Sequence, residues 1–184
     1  MALTQTPICN FGEKAKDFNL KSTEKKTISL KEVSGKNGTL VMFICNHCPY
    51  VKAIIKDLVS DVKSLEKLGI QSVGIMSNDV KNYPDDSFEN MISFSKVNNF
   101  PFPYLIDETQ SVAKSYGAVC TPDFFGYNKN LELQYRGRIR ELKDLKPVNK
   151  GDSDLKMAMK LIAETGKGPK NQIPSMGCNI KWFK

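Results

Sequence analysis

Two cysteines and the only histidine of the chain lie within one short stretch, at Cys45, His47 and Cys48. An unbroken apolar run, residues 40–44, leads into this stretch, and a long amphipathic pattern begins at Val51. That order predicts a buried strand that delivers thiols to the N-terminus of a helix. The free N–H groups and the positive dipole end of a helix favour the thiolate, which is the nucleophilic form of cysteine.

Cys48 is the best-placed thiol because it immediately precedes Pro49, a residue suited to the first turn of a helix. We therefore predict that Cys48 is a redox nucleophile, and that a protonated His47 lowers its pKa or donates a proton. Cys45 has two interpretations that the residues leave open. It is either the partner of Cys48 in a Cys-x-x-Cys pair or a small buried residue that ends the strand.

The same stretch also raises the question of a zinc site, because Cys45, His47 and Cys48 are all common zinc ligands. A closed zinc site needs four ligands, and the sequence has no second pair of cysteines or histidines at the required spacing. We therefore predict that the protein holds neither a metal ion nor another cofactor.

The composition is that of an ordinary globular protein. The 184 residues are 40% hydrophobic and predict one domain over residues 1–184. The net charge is +7, but the basic residues are scattered, so we expect no nucleic acid partner. No secretory signal and no membrane-length apolar stretch is visible, which predicts a cytoplasmic protein without a membrane partner. Five irregularly spaced cysteines then indicate redox chemistry rather than a disulfide framework.

Patterns along the rest of the chain predict alternating strands and helices, a mixed and largely parallel sheet with helices on both faces. The predicted strands are residues 17–20, 27–30, 39–45, 70–77, 104–106, 122–127 and 131–139, the first two forming a hairpin. The predicted helices are residues 50–68, 87–98, 109–116 and 152–165. We expect residues 1–16 to be irregular, residues 140–151 to be a charged connector, and residues 166–184 to be a tail packed on the domain.

Two groups of charged residues have both a functional and a surface interpretation. Residues 78–79 and 85–86 (Asn-Asp and Asp-Asp) flank a loop after a strand end, the side of an α/β sheet where ligands bind. Arg136, Arg138 and Arg140 alternate along a strand and its exit, where one could steer an anionic substrate or stabilise a thiolate. We predict a solvated loop and a solvent-exposed basic stripe.

Three motifs resemble the thioredoxin superfamily, and within it the peroxiredoxin-like branch of the alkyl hydroperoxide reductase/thiol-specific antioxidant group. They are Asn-His-Cys-Pro-Tyr-Val at residues 46–51, Cys-Thr-Pro-Asp-Phe-Phe at residues 120–125 and Gly-Cys-x-Ile-Lys-Trp at residues 177–182. The resemblance covers nearly the whole chain. It implies an α/β, thioredoxin-like fold with a central mixed sheet flanked by helices, an N-terminal β-hairpin and a C-terminal tail.

The resemblance also implies roles for residues around the thiol. Cys48 aligns with the nucleophilic first cysteine of the thioredoxin Cys-x-x-Cys motif, and Pro49 and Tyr50 occupy its two middle positions. Val51 stands where that motif has its resolving cysteine and where peroxiredoxins have their peroxidatic cysteine. Thr121–Pro122 matches the cis-proline bond that faces the active-site cysteine, so these two residues would position the substrate.

The absent second cysteine leaves several thiols as candidates to resolve an intermediate on Cys48. Cys45 is near it in sequence, and Cys120 would lie on the loop opposite Cys48 in a thioredoxin-like fold. Cys178 is in the tail, as are the C-terminal resolving cysteines of peroxiredoxins. Cys9 is predicted to be structural.

The resemblance implies a thiol redox enzyme. The favoured hypothesis is a thiol–disulfide oxidoreductase in which Cys48 attacks a disulfide and another thiol resolves the mixed disulfide. One alternative is a thiol peroxidase that reduces hydroperoxides through a Cys48 sulfenic acid. The other is a non-enzymatic, redoxin-fold binding module. The expected partner is a thiol or disulfide of a protein, glutathione or a hydroperoxide, and the protein is expected to be a monomer or a homodimer.

Overall fold

The structure, a computed structural model, describes residues 3–184. Its strands, numbered in chain order, are β1 (Leu3–Gln5), β2 (Asn19–Ser22), β3 (Thr27–Ser29), β4 (Gly38–Phe43), β5 (Ile70–Met76), β6 (Tyr104–Ile106), β7 (Cys120–Thr121), β8 (Asp123–Tyr127), β9 (Leu133–Tyr135), β10 (Leu142–Lys143), β11 (Lys146–Pro147) and β12 (Met176–Asn179). Its helices are α1 (Pro49–Glu66), α2 (Phe88–Val97), α3 (Ser111–Tyr116) and α4 (Asp154–Thr165). Short 3₁₀ turns cover Lys31–Val33 and Pro84–Asp86.

A seven-stranded mixed sheet forms the centre of the fold, in the order β3-β2-β6-β5-β4-β8-β9. Strand β4 is parallel to β5 and antiparallel to β8, and every one of its residues is buried. A central strand covered on both faces needs apolar side chains in both directions, which explains the unbroken apolar run. The predicted central mixed sheet with an N-terminal hairpin, β2–β3, is confirmed.

Two hydrophobic clusters cover the two faces of this sheet. Leu40 and Met42 belong to one cluster, which also contains buried residues of α1 and α4. Val41 and Phe43 belong to the other, which contains buried residues of α3. Since successive side chains of a strand point to opposite faces, the sheet lies between two helical layers. Within residues 3–184, no helix is both long enough and apolar enough to span a membrane.

Strands β1 and β12, near the two ends of the chain, form a second, three-stranded sheet with β7, in the order β1-β12-β7. The prediction that residues 1–16 are irregular is wrong for Leu3–Gln5, and residues 1–2 lie outside the described part of the chain. The tail contains the regular strand Met176–Asn179. Both strands are short and pair with distant parts of the chain, so no local pattern marks them. The connector at residues 140–151 likewise contains the small hairpin β10–β11.

The strand predicted over residues 131–139 is limited to Leu133–Tyr135. Leu131 has a φ of 57°, in the left-handed region that an extended strand excludes. Beyond Tyr135 the backbone pairs with the tail, because Arg136 N donates to Gln172 Oε1 at 2.8 Å and Arg138 N donates to Ile173 O at 2.7 Å.

The prediction of a solvent-exposed arginine stripe is wrong, because each arginine faces a carboxylate. Arg136 is 8% exposed and donates to Asp123 at 3.0 Å. Arg138 pairs with Asp154 at 2.7 Å, and Arg140 pairs with Asp57 at 2.9 Å. These charges join the end of the sheet to α1 and α4.

Candidate thiol redox site

Cys48 is the N-cap residue of α1, at the end of the turn that follows β4. Its backbone is extended, with φ −64° and ψ 122°, and Pro49 occupies the first turn of the helix. Proline suits that turn because its missing N–H would have no partner within the helix. The Cys48 side chain is fully buried, at 0% exposure. The predicted delivery of this thiol to a helix start is therefore what the structure shows.

The peptide bond between Thr121 and Pro122 is cis, as the resemblance implied, and it faces Cys48. As a thiol, Cys48 donates from Sγ to the carbonyl oxygen of Thr121 at 3.1 Å. The loop of the cis bond and the helix start thus meet at one sulfur atom.

The surroundings of Cys48 favour its thiolate. A hydrogen bond from the Cys45 thiol lowers the pKa of Cys48, and burial acts in the opposite direction. Hydrogen bonds from Thr121 and from the backbone N–H groups of Val51 and Cys178 lower it further, to about 5. At neutral pH Cys48 is therefore ionised while its neighbours are protonated.

Two other thiols shift the pKa of Cys48 or have their own pKa shifted by it. The pKa of Cys45 is raised well above 9.0 by its hydrogen bond with Cys48 and by burial, and the charge of Asp86 raises it further. Burial and a hydrogen bond with Cys48 raise the pKa of Cys178 to about 12. Both residues are therefore proton donors to the Cys48 thiolate, and the site is a cluster of one thiolate and two thiols.

The remaining two cysteines are placed differently, although all five are free thiols. Cys120 is buried and donates from Sγ to the carbonyl oxygen of Pro122 at 3.6 Å. Burial raises its pKa strongly. Cys9 is half-buried beside Arg136, and burial raises its pKa to about 11. Neither thiol is activated as Cys48 is.

His47 forms an ion pair with Asp86, a residue that the sequence assigned to a solvated loop. His47 Nδ1 lies 2.6 Å from Asp86 Oδ2, and Asp86 is 0% exposed. The carboxylate also accepts hydrogen bonds from the N–H of Asn46 at 2.8 Å and from Asn78 Nδ2 at 2.8 Å. The solvated-loop prediction is therefore wrong for Asp86, and also for Asn78 and Asp79, which are buried. It holds for the exposed Asp85.

The electrostatics of this pair keep both partners charged. The hydrogen bond to Asp86 raises the pKa of His47, against the effect of burial. Burial opposes ionisation of Asp86, but hydrogen bonds from His47 and Asn78 overcome it and lower the pKa of Asp86. The other ring nitrogen, His47 Nε2, is buried and has no hydrogen-bond partner in the described part of the chain.

Donor atoms of Cys45, His47 and Asp86 lie within 4.8 Å of one another, a spacing at which a metal ion is conceivable. Two ligands of a tetrahedral zinc ion, each about 2.1 Å from the metal, would be roughly 3.4 Å apart. The 2.6 Å between His47 Nδ1 and Asp86 Oδ2 is instead the length of a charge-assisted hydrogen bond. The arrangement therefore fits a proton-bearing pair better than a zinc site.

The C-terminal tail completes the site from the other side. Cys178 is the Cα partner of Thr121 in the β12–β7 pair. Beyond it, Lys181 N donates to Asn78 Oδ1 at 2.8 Å, and Gln110 Nε2 donates to the Lys181 carbonyl at 2.8 Å. Since Asn78 also binds Asp86, one polar network joins the tail to the His47 pair.

A cavity of about 170 Å³ lies next to the start of α1 and the cis bond. Tyr50 and Pro122, which follow Cys48 and Thr121 closely in sequence, line it on one side. Arg138 and residues of the tail, among them Ile173, also line it. A substrate that approaches the site next to the cis bond would contact this cavity.

The chain is similar to several known proteins. A model of the AhpC/TSA family matches residues 11–142. A Coxiella burnetii (strain RSA 493 / Nine Mile phase I) protein named "Putative peroxiredoxin bcp" is 27% identical over 115 residues, 62% of this chain and 71% of that protein. The crystal structure of an uncharacterized conserved protein from Geobacillus kaustophilus has a TM-score of 0.94 at 37% identity, over 100% of this chain and 97% of that chain.

A more distant structure identifies the fold. The thioredoxin domain of a thiol-disulfide oxidoreductase from Bacteroides vulgatus has a TM-score of 0.58, over 68% of this chain and 86% of that chain. The identity is 16%, so this likeness shows the fold alone. The fold is thioredoxin-like, as the motifs predicted.

Proposed function

Because the chain belongs to the AhpC/TSA family, whose fold here is thioredoxin-like, we propose that it is a thiol–disulfide oxidoreductase with Cys48 as its nucleophile. The observation that carries this proposal is the buried thiol cluster. The hydrogen bond from Cys45 holds the pKa of Cys48 at about 5, so one thiolate lies against two protonated thiols at a helix start. This pairing of a nucleophile with potential resolving thiols is what thiol–disulfide exchange requires.

The reaction begins when the Cys48 thiolate attacks one sulfur of a substrate disulfide. A bond forms between Cys48 and that sulfur, and the other sulfur leaves as a thiolate that takes up a proton. A second thiol, Cys45 or Cys178, then gives up its proton and attacks the mixed disulfide. The product is an internal disulfide and a reduced substrate, and an external dithiol returns the protein to its starting state. The cycle needs no metal and no cofactor.

The contacts of Thr121 and Pro122, on either side of the cis bond, support a role for both residues in positioning the substrate. The Thr121 carbonyl accepts a hydrogen bond from Cys48 when Cys48 is a thiol, and Pro122 and Tyr50 line a cavity next to the cis bond. We therefore assign to Thr121 and Pro122 the alignment of a substrate sulfur at Cys48. Cys120, the third candidate for resolution, donates to the Pro122 carbonyl, so we assign it no step.

The test measures reduction of glutathione disulfide and of insulin disulfides with dithiothreitol as reductant. The wild-type protein should accelerate at least one of the two reactions, and the Cys48→Ser variant should lose that acceleration. Cys9→Ser is the matched control and should retain full activity, since Cys9 lies beside Arg136 outside the thiol cluster. Equal rates for wild type and Cys48→Ser would leave the non-enzymatic binding module as the better account.

One observation favours a second function, thiol peroxidase. Cys48 is 0% exposed, and a hydroperoxide is small enough to reach a buried sulfur that a protein disulfide could reach only after rearrangement. Attack of the thiolate on the peroxide would give a Cys48 sulfenic acid and an alcohol or water. Condensation of that acid with Cys45 or Cys178 would release water and form a disulfide.

Consumption of hydrogen peroxide, together with dimedone labelling, tests this function. A peroxidase should consume peroxide with dithiothreitol and carry the dimedone label on Cys48. The Cys48→Ser variant should do neither. Turnover of disulfides without turnover of peroxide would exclude the peroxidase.

A further inference from the structure

His47 lies between a buried carboxylate and a thiol of the redox cluster. Its Nδ1 is 2.6 Å from Asp86 Oδ2 and 3.9 Å from Cys45 Sγ. The hydroxyl of Thr121 lies 3.3 Å from the same sulfur. The hydroxyl of Thr121 can therefore donate to Cys45. The Nδ1–H of His47 is bound to Asp86, so an imidazolium acts on Cys45 through its charge.

We propose that the imidazolium of His47, held by Asp86, stabilises the thiolate of Cys45 and thereby makes Cys45 the resolving thiol. This assignment rests on the proposed function of Cys48 and extends it to the second half of the cycle. Cys45 and His47 are then catalytic residues, because they touch the reacting sulfur atoms. Asp86 is a positioning residue that acts through His47.

The interactions that raise the pKa of Cys45 change once Cys48 has reacted. Before reaction, the hydrogen bond to the Cys48 thiolate is the largest cause of the raised pKa of Cys45, so Cys45 stays protonated. In a mixed disulfide Cys48 carries no charge, and this cause disappears. Burial and the charge of Asp86 still oppose ionisation of Cys45, and the hydrogen bond from Thr121 favours it. A positive charge on His47, whose Nδ1 is 3.9 Å from Cys45 Sγ, would favour it too.

The alternative thiol, Cys178, has less support for its thiolate. Burial is the largest cause of its raised pKa, ahead of the hydrogen bond with Cys48 and the charge of Cys48, and burial persists after Cys48 has reacted. The charge of Lys181 lowers this pKa, but Lys181 Nζ is bound to Asn179 O at 2.9 Å and Asn179 Oδ1 at 2.7 Å. No imidazole is available there, since His47 is the only histidine of the chain.

The resolving step is balanced without a further reactant. The Cys45 thiol loses its proton, and its sulfur attacks Cys48 Sγ of the mixed disulfide. The Cys45–Cys48 bond forms as the bond between Cys48 and the substrate sulfur breaks. The electron pair of the broken bond leaves with the substrate sulfur, which takes up the proton as a thiol.

The charge of His47 depends on the groups that face it. Asp86 and the Cys48 thiolate raise its pKa, whereas Lys181 lowers it. The Tyr83 ring is stacked on the imidazole with 5.9 Å between ring centroids and an interplanar angle of 10°. Tyr83→Phe would preserve that stacking and remove only the phenol oxygen, so this variant is a matched control.

The test follows the reaction of the reduced protein with 5,5′-dithiobis(2-nitrobenzoate) by stopped flow, in a Cys9→Ser background. Attack by Cys48 releases a first equivalent of thionitrobenzoate, and resolution releases a second. Cys45→Ser, whose hydroxyl can still donate to Cys48, should stop after the first equivalent. Cys178→Ser should release both equivalents.

The variant His47→Gln separates a charge effect from a structural one. In this variant the second phase, the release of the second equivalent of thionitrobenzoate, should slow about tenfold for each unit by which the pKa of Cys45 rises. Its rate should return to the wild-type value at high pH. Tyr83→Phe should match the wild type throughout. A second phase that is unchanged in His47→Gln, or slowed equally at every pH, would overturn the role of His47.

The outcomes distinguish this inference from the proposed function. Loss of the second equivalent in Cys178→Ser, with its retention in Cys45→Ser, would overturn the inference and leave Cys48 as the nucleophile. A first phase that persists in Cys48→Ser would overturn the proposed function itself. The two cysteine variants decide the resolving thiol even if His47→Gln fails to fold.

Discussion

Cys178 and Thr121 are Cα partners across the antiparallel strands β12 and β7. This pairing places the tail against the cis Thr121–Pro122 loop, and the N–H of Cys178 forms a hydrogen bond with Cys48. The tail is therefore part of the wall that buries the nucleophile, and its attachment controls how reagents reach Cys48.

Gly177→Ala tests that attachment. A Cβ at Gly177 would overlap the carbonyl oxygen of Thr121, a backbone atom that cannot move aside without separating β12 from β7. We expect the free energy of unfolding to fall by about 1–3 kcal/mol and Cys48 to react faster with iodoacetamide. Val97→Ala is the control, because Val97 lies 79% exposed at the end of α2, outside both strands. An unchanged alkylation rate in Gly177→Ala would contradict the role of the tail.

The pKa of His47 should depend on Asp86. His47 is the only histidine, so its imidazole gives a single resolvable set of proton NMR signals. In the wild type the hydrogen bond to Asp86 should place this pKa above 6.5, and in Asp86→Asn it should fall. Asn46, which also binds Asp86, can still donate to the new amide oxygen, so the turn should be preserved. Equal pKa values in both proteins would show that the pair is not ionic.

The same pair predicts how stability varies with pH. The pKa of His47 is raised above 6.5 on folding, so its contribution is complete below pH 6.5 and is lost as pH rises through the folded value. The pKa of Asp86 is lowered below 3.8, so its contribution is complete above pH 3.8 and is lost in more acidic solution. Urea unfolding should show the largest difference between wild type and His47→Gln between these limits. A difference that grows towards alkaline pH would contradict this.

The buried pair of Arg136 and Asp123 should be important for stability. Its side chains are 9% and 0% exposed, and the guanidinium also lies 4.4 Å from the centre of the Phe125 ring. Arg136→Ala would leave Asp123 buried without its cation, which we expect to cost about 3–5 kcal/mol. Lys14→Ala removes the exposed pair with Glu132 and should change little. Similar chemical denaturation midpoints for both variants would show that the buried pair contributes no more to stability than the exposed pair.

The start of α1 was predictable because all of its determinants are local. An apolar run that must be buried, a proline that suits the first helical turn and the amphipathic pattern after it lie side by side in the sequence. These determinants place Cys48 at the N-cap without knowledge of the rest of the fold. The cis bond at Thr121–Pro122 came instead from a resemblance of motifs.

Asp86 and the tail were not predictable from local patterns. Asp86 follows Asp85 in a polar loop, a context typical of solvated residues, and its partner His47 is 39 positions away. The useful signal was topological, since the carboxyl ends of the parallel strands β4 and β5 meet at one edge of the sheet. For Arg136, the alternating pattern predicted exposure, but β9 ends at Tyr135 and the side chain turns inward to Asp123.

The most direct test of the account is the pH dependence of Cys48 alkylation by iodoacetamide, followed by mass spectrometry of the peptide that contains Cys48. The account predicts a midpoint near pH 5, because hydrogen bonds from Cys45 and its other neighbours lower the pKa of Cys48 to about 5. Cys9, whose pKa burial raises to about 11, is the internal control and should react only in alkaline solution. A Cys48 midpoint near 9.0, the value of an unperturbed thiol, would contradict the account.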